Sequence, residues 1–326
     1  MDNGKPSISD LERDPKLQIA KVKFPNGVYE EFDVDRGCHG SELFRHITSG
    51  MKYTLGERKY FSLSFCDSFD GRVYWIDNDR EIDKQLRAPH LSRTKNADYA
   101  AIKEYRNMVF PWDFSFGVIL YPKDPSSLVD DVARHYMFMQ LLEDILTGRL
   151  PAPREIHTRL GAIVAQLQFG DAPITMTEEY SEFMSKTKLI PESVIEPEVH
   201  LIIAEHHTQL RGITTTEAQN KYMDICKDLP LYGLNFYFAK DEENRNVTVG
   251  CGAVGINIYH DGYLLKNFPL GTFQLGGPRG ETVYLKRHGA NEDDKNSTAT
   301  LDFVDNQIAR QLMRYMLRYD DIYKKK

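Results

Sequence analysis

The spacing of apolar residues in this 326-residue chain changes twice, and one continuous sheet or bundle cannot satisfy both spacings. Residues 17–24 alternate apolar and polar with period two, as a half-buried strand does. Pro25-Asn26-Gly27 is a hairpin-type turn signal, and residues 28–34 predict a second strand. Ser41 and Glu42 open a helix carrying Leu43, Phe44 and Ile47. Residues 60–66, and residues 73–76 after the Asp70-Gly71 turn, predict two further strands. Hairpin, helix and strands within residues 16–87 imply an α+β lobe of the ubiquitin-like kind. Residues 1–15 are polar and without period, which predicts a flexible leader. Residues 88–109 read as a long connector or insertion.

From 110 to 230 the spacing becomes helical. Asp124-Pro125 predicts a helix start, with Asp as cap and Pro at the first helical position. Leu128, Val132, Met139, Leu142 and Ile145 follow, and Gly148 stops the run. Pro153 starts a second helix with Leu160, Ile163, Val164 and Leu167, ended by Gly170. Pro197 leads a third. Thr214 and Glu217 have capping-box spacing and open a fourth, with Ala218, Tyr222, Ile225 and Leu229 on one face. Short turns between such helices imply a compact bundle.

Beyond 231 the period returns to two. Seven short runs predict strands at residues 234–238, 247–250, 256–259, 263–265, 272–275, 282–285 and 299–303. Glu243-Asn244, Asp261-Gly262 and Gly276-Gly277-Pro278 separate some of them as turns. A last helix carries Ile308, Leu312, Tyr315, Tyr319 and Ile322 as one continuous stripe. Seven strands capped by a helix match the layout of a pleckstrin-homology or phosphotyrosine-binding sandwich. The expected divisions are therefore 1–15, 16–87, 88–109, 110–230 and 231–326.

Composition narrows the function. No window reaches the roughly 20 apolar residues of a membrane-spanning helix. The amino terminus lacks the basic-then-apolar order of a secretory signal. Four well-separated cysteines without a CxxC pair argue against a disulfide framework or zinc finger and imply a reducing cytoplasm. A net charge of −7 argues against bulk nucleic-acid binding. The deficit lies in residues 110–230, with 18 acidic residues against 10 basic ones.

Fixed positions then point to a family. His207, Glu217-Ala218, Tyr222-Met223, Cys226, Leu229 and Tyr232-Gly233-Leu234-Asn235-Phe236 resemble the FERM signature across its second and third lobes. Tyr60-Phe61-Ser62-Leu63, Trp75-Ile76-Asp77, Glu81-Ile82 and Lys84-Gln85-Leu86 resemble the end of the first lobe. Phe114-Ser115-Phe116, Tyr121-Pro122-Lys123-Asp124-Pro125 and Asp144-Ile145-Leu146-Thr147-Gly148-Arg149-Leu150-Pro151 resemble the second lobe of the band 4.1 branch. The resemblance covers residues 16–323. It implies a three-lobed fold: a ubiquitin-like lobe, an acyl-CoA-binding-protein-like helical bundle, and a pleckstrin-like sandwich with a C-terminal helix. The sequence departs from the pattern in its long 88–109 connector and in Phe268-Pro269-Leu270 for the usual Phe-Pro-Trp. At the positions where the ezrin-type branch holds phosphoinositide headgroups it has Asp77, Asp79, Arg80 and Glu81, a single cation.

Nucleophile and phosphate-loop signatures are missing: there is no G-x-S-x-G, H-E-x-x-H or G-x-x-x-x-G-K-[ST]. Gly276-Gly277-Pro278-Arg279-Gly280 reads as a plain hairpin turn. Adjacent His206 and His207 point apart on a helix and read as surface or lobe-interface residues. The cysteines read as packed, inert thiols. The resemblance implies a non-enzymatic adaptor, without cofactor or metal, that binds cytoplasmic tails of membrane proteins and links the inner face of the plasma membrane to the cortical cytoskeleton. The expected peptide site is the cleft between the strand Thr272, Phe273, Gln274, Leu275 and a helix face with Ile308, Leu312 and Tyr315. An added strand would gain main-chain bonds there. Lys52, Arg58, Lys59, Lys266, Arg279 and Lys286 are the candidates for an anionic, phosphoinositide-bearing surface. Two alternatives differ in class: the targeting module of a larger FERM-containing enzyme such as a protein tyrosine phosphatase, and an acyl-CoA carrier built on the helical lobe.

Overall fold

The computed structural model describes residues 17–51, 54–93, 110–175, 177–196, 198–290 and 297–324. The expected leader, Lys52 and most of the 88–109 connector lie outside the described residues.

The first lobe is a five-stranded sheet in the order β2-β1-β5-β3-β4. Its strands are β1 (Leu17–Lys23), β2 (Tyr29–Asp35), β3 (Phe61–Cys66), β4 (Val73–Trp75) and β5 (Asp113–Val118). Helix α1 (Gly40–Gly50) buries Leu43 and Ile47 beneath it. The amide of His39 donates to the Glu42 carboxylate at 2.8 Å, which closes the first turn of α1. Gly40 is required there: a Cβ would stand 2.3 Å from the carbonyl oxygen of Asp77. Helix α2 (Ile82–Arg93) takes up residues 88–93, which were expected in the connector.

Strand β5 corrects the expectation of helix from residue 110. It lies at the centre of the first-lobe sheet, parallel to β1 and antiparallel to β3. Phe114 and Phe116 both point into the core, where the Phe116 ring stacks on Phe61 and lies tilted against Phe24. The first lobe thus closes only after the chain has returned from the connector.

The second lobe holds α3 (Asp131–Leu146), α4 (Arg154–Phe169), α5 (Glu178–Lys186), α6 (Val199–Thr208) and α7 (Thr215–Lys227). Asp124-Pro125 opens only a single 3-10 turn, and the cap of α3 is Asp130, whose side chain accepts from the Val132 amide at 3.1 Å. The capping box of Thr214 and Glu217 is present on α7. Helix α4 is buried along most of its length, and Gly161 lets Ile190 and Ile203 close on it. His207 is fully buried within this lobe, not at a surface or an interface. Its Nδ1 faces the Tyr180 hydroxyl at 2.8 Å and its Nε2 faces the Gly170 carbonyl at 2.8 Å. Only a neutral ring protonated at Nε2 lets Nδ1 accept from the phenol while Nε2 donates to the carbonyl.

The third lobe is a seven-stranded sheet in the order β10-β11-β12-β6-β7-β8-β9, folded over α8 (Asn306–Lys324). Its strands are β6 (Asn235–Lys240), β7 (Asn246–Gly252), β8 (Gly255–His260), β9 (Tyr263–Pro269), β10 (Phe273–Arg279), β11 (Thr282–Arg287) and β12 (Thr298–Phe303). Gly276, Gly277 and Pro278 are not the turn: they belong to β10, whose register shifts between Gly276 and Arg279. The chain reverses at Gly280, which sits at φ +66°, a conformation glycine adopts without strain.

The lobes share interior. The Tyr121 amide donates to the Tyr319 hydroxyl at 2.9 Å, and the Tyr121 hydroxyl donates to buried Asp144 at 2.7 Å, where Arg149 also pairs. Arg314 of α8 pairs with Asp77 of the first lobe at 2.7 Å. Glu57 accepts from the Val129 and Asp130 amides at 2.9 and 3.0 Å, while Asp130 accepts in return from the Gly56 amide.

Candidate functional site: an open strand edge beside the last helix

Strand β10 is an outer strand, bonded to β11 alone. Its hydrogen-bond phase follows from one contact: the His288 amide donates to the Thr272 carbonyl at 2.9 Å. Bonded pairs alternate along an antiparallel ladder, so Gln274 and Gly276 face β11 and the backbone groups of Phe273 and Leu275 face outward. Beyond Gly276 the register shift and Pro278, which has no N–H, end the usable edge.

A cleft of about 410 Å³ runs between this edge and α8, lined by Leu270, Phe273, Leu275, His288, Met316 and Leu317, with Asp320 at its end. Leu317 is 54% exposed, a large apolar side chain left open beside an unpaired edge. Phe273 packs edge-on against buried Phe268, with ring centres 5.8 Å apart, which fixes the floor. The arrangement offers main-chain donors and acceptors along one wall and apolar side chains along the other. That is what a strand-adding peptide needs.

Of the expected strand residues, Phe273, Gln274 and Leu275 line this cleft, while Thr272 precedes β10 and bonds back to the Pro269 carbonyl; the expected helix residues lie elsewhere. Leu312 and Tyr315 are buried and cannot reach the cleft. The Tyr315 hydroxyl instead accepts from the Asn235 side chain and donates to the Gly233 carbonyl at 3.4 Å. Ile308 lines a different cavity, about 730 Å³ at the meeting of the three lobes, with Trp75, Phe236 and Phe238. Met316, Leu317 and Asp320 take the places expected of these residues. The helical stripe marks the buried seam, and the cleft wall lies between about a quarter and half a turn round from it, with Leu317 farthest. The available signal was Leu317 itself, apolar and off the stripe.

The cation candidates separate. Arg58 donates through Nε to the Leu55 carbonyl at 3.1 Å, and Lys59 lies over the Tyr60 ring at 4.9 Å. Lys266 pairs with Glu242 and donates to the Thr298 carbonyl at 2.9 Å, with its side chain only 15% exposed, so it is taken up within the fold. Arg279 is exposed on β10, and Lys286 is half-buried opposite Gln274. Sequence reasoning missed a stronger group. Arg310, Arg314 and Arg318 follow one another at four-residue spacing along α8. Burial lowers the Arg314 pKa from its ordinary value. Asp77 opposes the fall, and Arg80 and Arg310 add to it. Arg80 and Arg310 thus lie near Arg314, which Asp77 holds. The Lys59 carbonyl holds Arg318 at 3.0 Å, and Arg310 is the exposed one of the three on α8.

Among the described residues no group of His, Cys, Asp and Glu is placed to hold a metal ion. Burial pushes the Cys38 thiol up to about 11 and raises those of Cys226 and Cys251 further, away from nucleophilic thiolate. No described helix is long and apolar enough to cross a membrane.

The FERM N-terminal domain matches residues 22–88 and the FERM central domain residues 123–237, together more than half of the chain. The chain is 28% identical over 310 residues to band 4.1-like protein 1 of Rattus norvegicus, covering 95% of this chain and 32% of that protein. It is 25% identical over 304 residues to protein 4.1 of Canis lupus familiaris, covering 93% and 34%. It therefore spans about a third of the length of these relatives. Among solved structures it superposes on the FERM domain in the complex of Drosophila Merlin FERM and C-terminal domains. The TM-score is 0.73 at 19% identity, covering 94% of this chain and 96% of that one. The MyTH4-FERM domain of human myosin 7b, in complex with the harmonin-a PDZ3 domain, gives a TM-score of 0.62 at 14% identity, covering 94% and 60%. With its three lobes, its signature positions and these matches, the chain belongs to the FERM family.

Proposed function

We propose that the chain is a non-enzymatic adaptor that binds cytoplasmic tails of transmembrane proteins and links the inner face of the plasma membrane to the cortical cytoskeleton. One observation carries the reading: the outward backbone of Phe273 and Leu275 lies beside the exposed Leu317. The edge supplies affinity through main-chain bonds, and the cleft selects the side chains that alternate along the incoming strand. The Merlin and myosin 7b FERM structures, solved with protein partners, support a protein-binding role.

The test is a panel of synthetic cytoplasmic-tail peptides, titrated against the chain by fluorescence anisotropy. A tail that binds should lose at least about tenfold in affinity on Leu275→Pro, which deletes an outward N–H without removing a bond to β11. A tail whose affinity survives that change binds elsewhere and overturns the reading.

A second contact, with an anionic lipid surface, is supported by the arginines of α8. Vesicles containing phosphatidylinositol 4,5-bisphosphate should bind the chain and release the Arg310→Glu variant. Equal binding of both would remove the lipid from the reading.

A further inference from the structure

We propose that the free edge of β2, in the first lobe, is a separate strand-accepting site that takes an extended partner segment with Lys or Arg at alternate positions. Strand β2 is the outer strand of its sheet and pairs with β1 alone. The Phe24 amide donates to the Val28 carbonyl at 2.8 Å, which sets the phase of the ladder. Counting from that bonded pair through the register, Glu30, Phe32 and Val34 are bonded to β1. The backbone groups of Tyr29, Glu31 and Asp33 therefore point away from the sheet, and no described strand pairs with them.

A cleft of about 700 Å³ lies beside this edge, between β2 and α1. Its volume falls in the range of roughly 300–1,000 Å³ typical of ligand sites. Val34 and Leu43 are buried at its floor. A side chain on the inner face of an added strand would enter this cleft, beside His39, Arg45 and His46. Successive residues of a strand point to opposite faces. Phe32 packs its ring against His46 of α1, so Glu31, Asp33 and Asp35 project from the other face, and all three are exposed.

Charge selects the occupant. Glu31, Asp33 and Asp35 on the strand, with Glu30 and Glu42 nearby, outnumber the cations beside them, which are Lys21 opposite Glu31 on β1, Arg36 and Arg45. Two copies of this edge placed together would set carboxylates opposite carboxylates, and like charges across a ladder are destabilising. The edge is guarded against its own kind and open to a cationic strand. Cations at alternate positions meet the outer carboxylates, and the residues between them turn toward the cleft walls of His39, Arg45 and His46. This site lies on the first lobe and stands whether or not the β10 groove binds tails.

The probe is a fluorescein-labelled nine-residue peptide of alternating Lys and Val, with a Glu–Val peptide as control, titrated against the full chain by anisotropy. The Lys–Val peptide should bind and the Glu–Val peptide should not. Glu31→Lys with Asp33→Lys should weaken binding at least about tenfold. Asp33→Asn keeps the outward amide and Asp33→Pro deletes it, so the Pro variant should bind the more weakly of the two. Should the Pro variant fail to fold, hydrogen exchange on the unaltered chain decides. Bound peptide should slow the amides of Glu31 and Asp33 and leave Glu30 and Phe32, already bonded to β1, unchanged. Three results would each overturn the proposal: equal binding of the two peptides, protection confined to other strands, or a dimer in sedimentation that Asp33→Lys abolishes.

Discussion

Strands β10 and β2 are both outer strands with backbone groups left for a partner, yet their surroundings differ in kind. The β10 edge is short, cut off by the register shift after Gly276, and faces the apolar wall of Met316 and Leu317. The β2 edge runs unbroken from Tyr29 to Asp33 in regular register and is studded with carboxylates. A ladder of main-chain bonds is indifferent to sequence, so its selectivity must come from side chains flanking it. The comparison teaches that two open strand edges of one kind can be flanked by opposite surfaces, apolar at one and charged at the other.

The supports of the two edges also differ, which gives the largest expected effect. Helix α8, one wall of the β10 cleft, is tied to the second lobe through Tyr319, Tyr121 and Asp144. Asp144→Ala leaves the buried Tyr121 hydroxyl and Arg149 without their acceptor, and should cost about 3 kcal/mol in a urea titration. It should loosen α8 in hydrogen exchange before it touches β2. Next come the crossed variants: Leu275→Pro should reduce tail binding at least about tenfold and leave the Lys–Val peptide unaffected. The Glu31→Lys, Asp33→Lys pair should do the reverse. A variant that weakens both ligands alike would merge the two sites into one. Smaller still, Leu317→Ala should weaken tail binding by a few fold while moving the urea midpoint little, since the side chain is already open to water.

The smallest effect is a control remote from both edges. Burial lowers the pKa of His207 below its ordinary 6.5, so the folded ring stays neutral while the unfolded ring takes up a proton. The unfolded state then binds more protons, and stability falls as pH drops from 6.5 toward the depressed folded value. Urea midpoints between pH 7.5 and 5.5 should therefore slope less in His207→Gln than in the unaltered chain. Both peptide affinities should be the same in the two proteins at pH 7.5.

Much of this was legible from local pattern. The hairpin of β1 and β2, the seven short strands, the capping box at Thr214 and Glu217 and the final helix were all read from spacing and turn residues. Strand β5 was not, although Asp113–Val118 alternates polar and apolar residues, because it follows the connector and runs straight into the helical stretch. Its partners Lys21–Lys23 and Phe61–Ser64 lie far back in the chain. The helix start was read at Asp124-Pro125, but the cap is Asp130, beside backbone amides that Glu57 holds from another lobe. The groove was half readable for a similar reason. An edge strand announces itself, whereas which flank of α8 faces it depends on how Tyr315 and Tyr319 are drawn into the lobe junction.

Helix α8 presents Leu317 to the cleft on one flank and Arg314, a single turn away, to Asp77 on another. A rigid nineteen-residue rod cannot tilt at one flank without moving the other. An occupant that wedged the cleft would therefore strain the Arg314–Asp77 pair, and a pull on Asp77 would alter the width of the cleft in return. Grip on the cleft and hold on the first lobe would then share a single free energy.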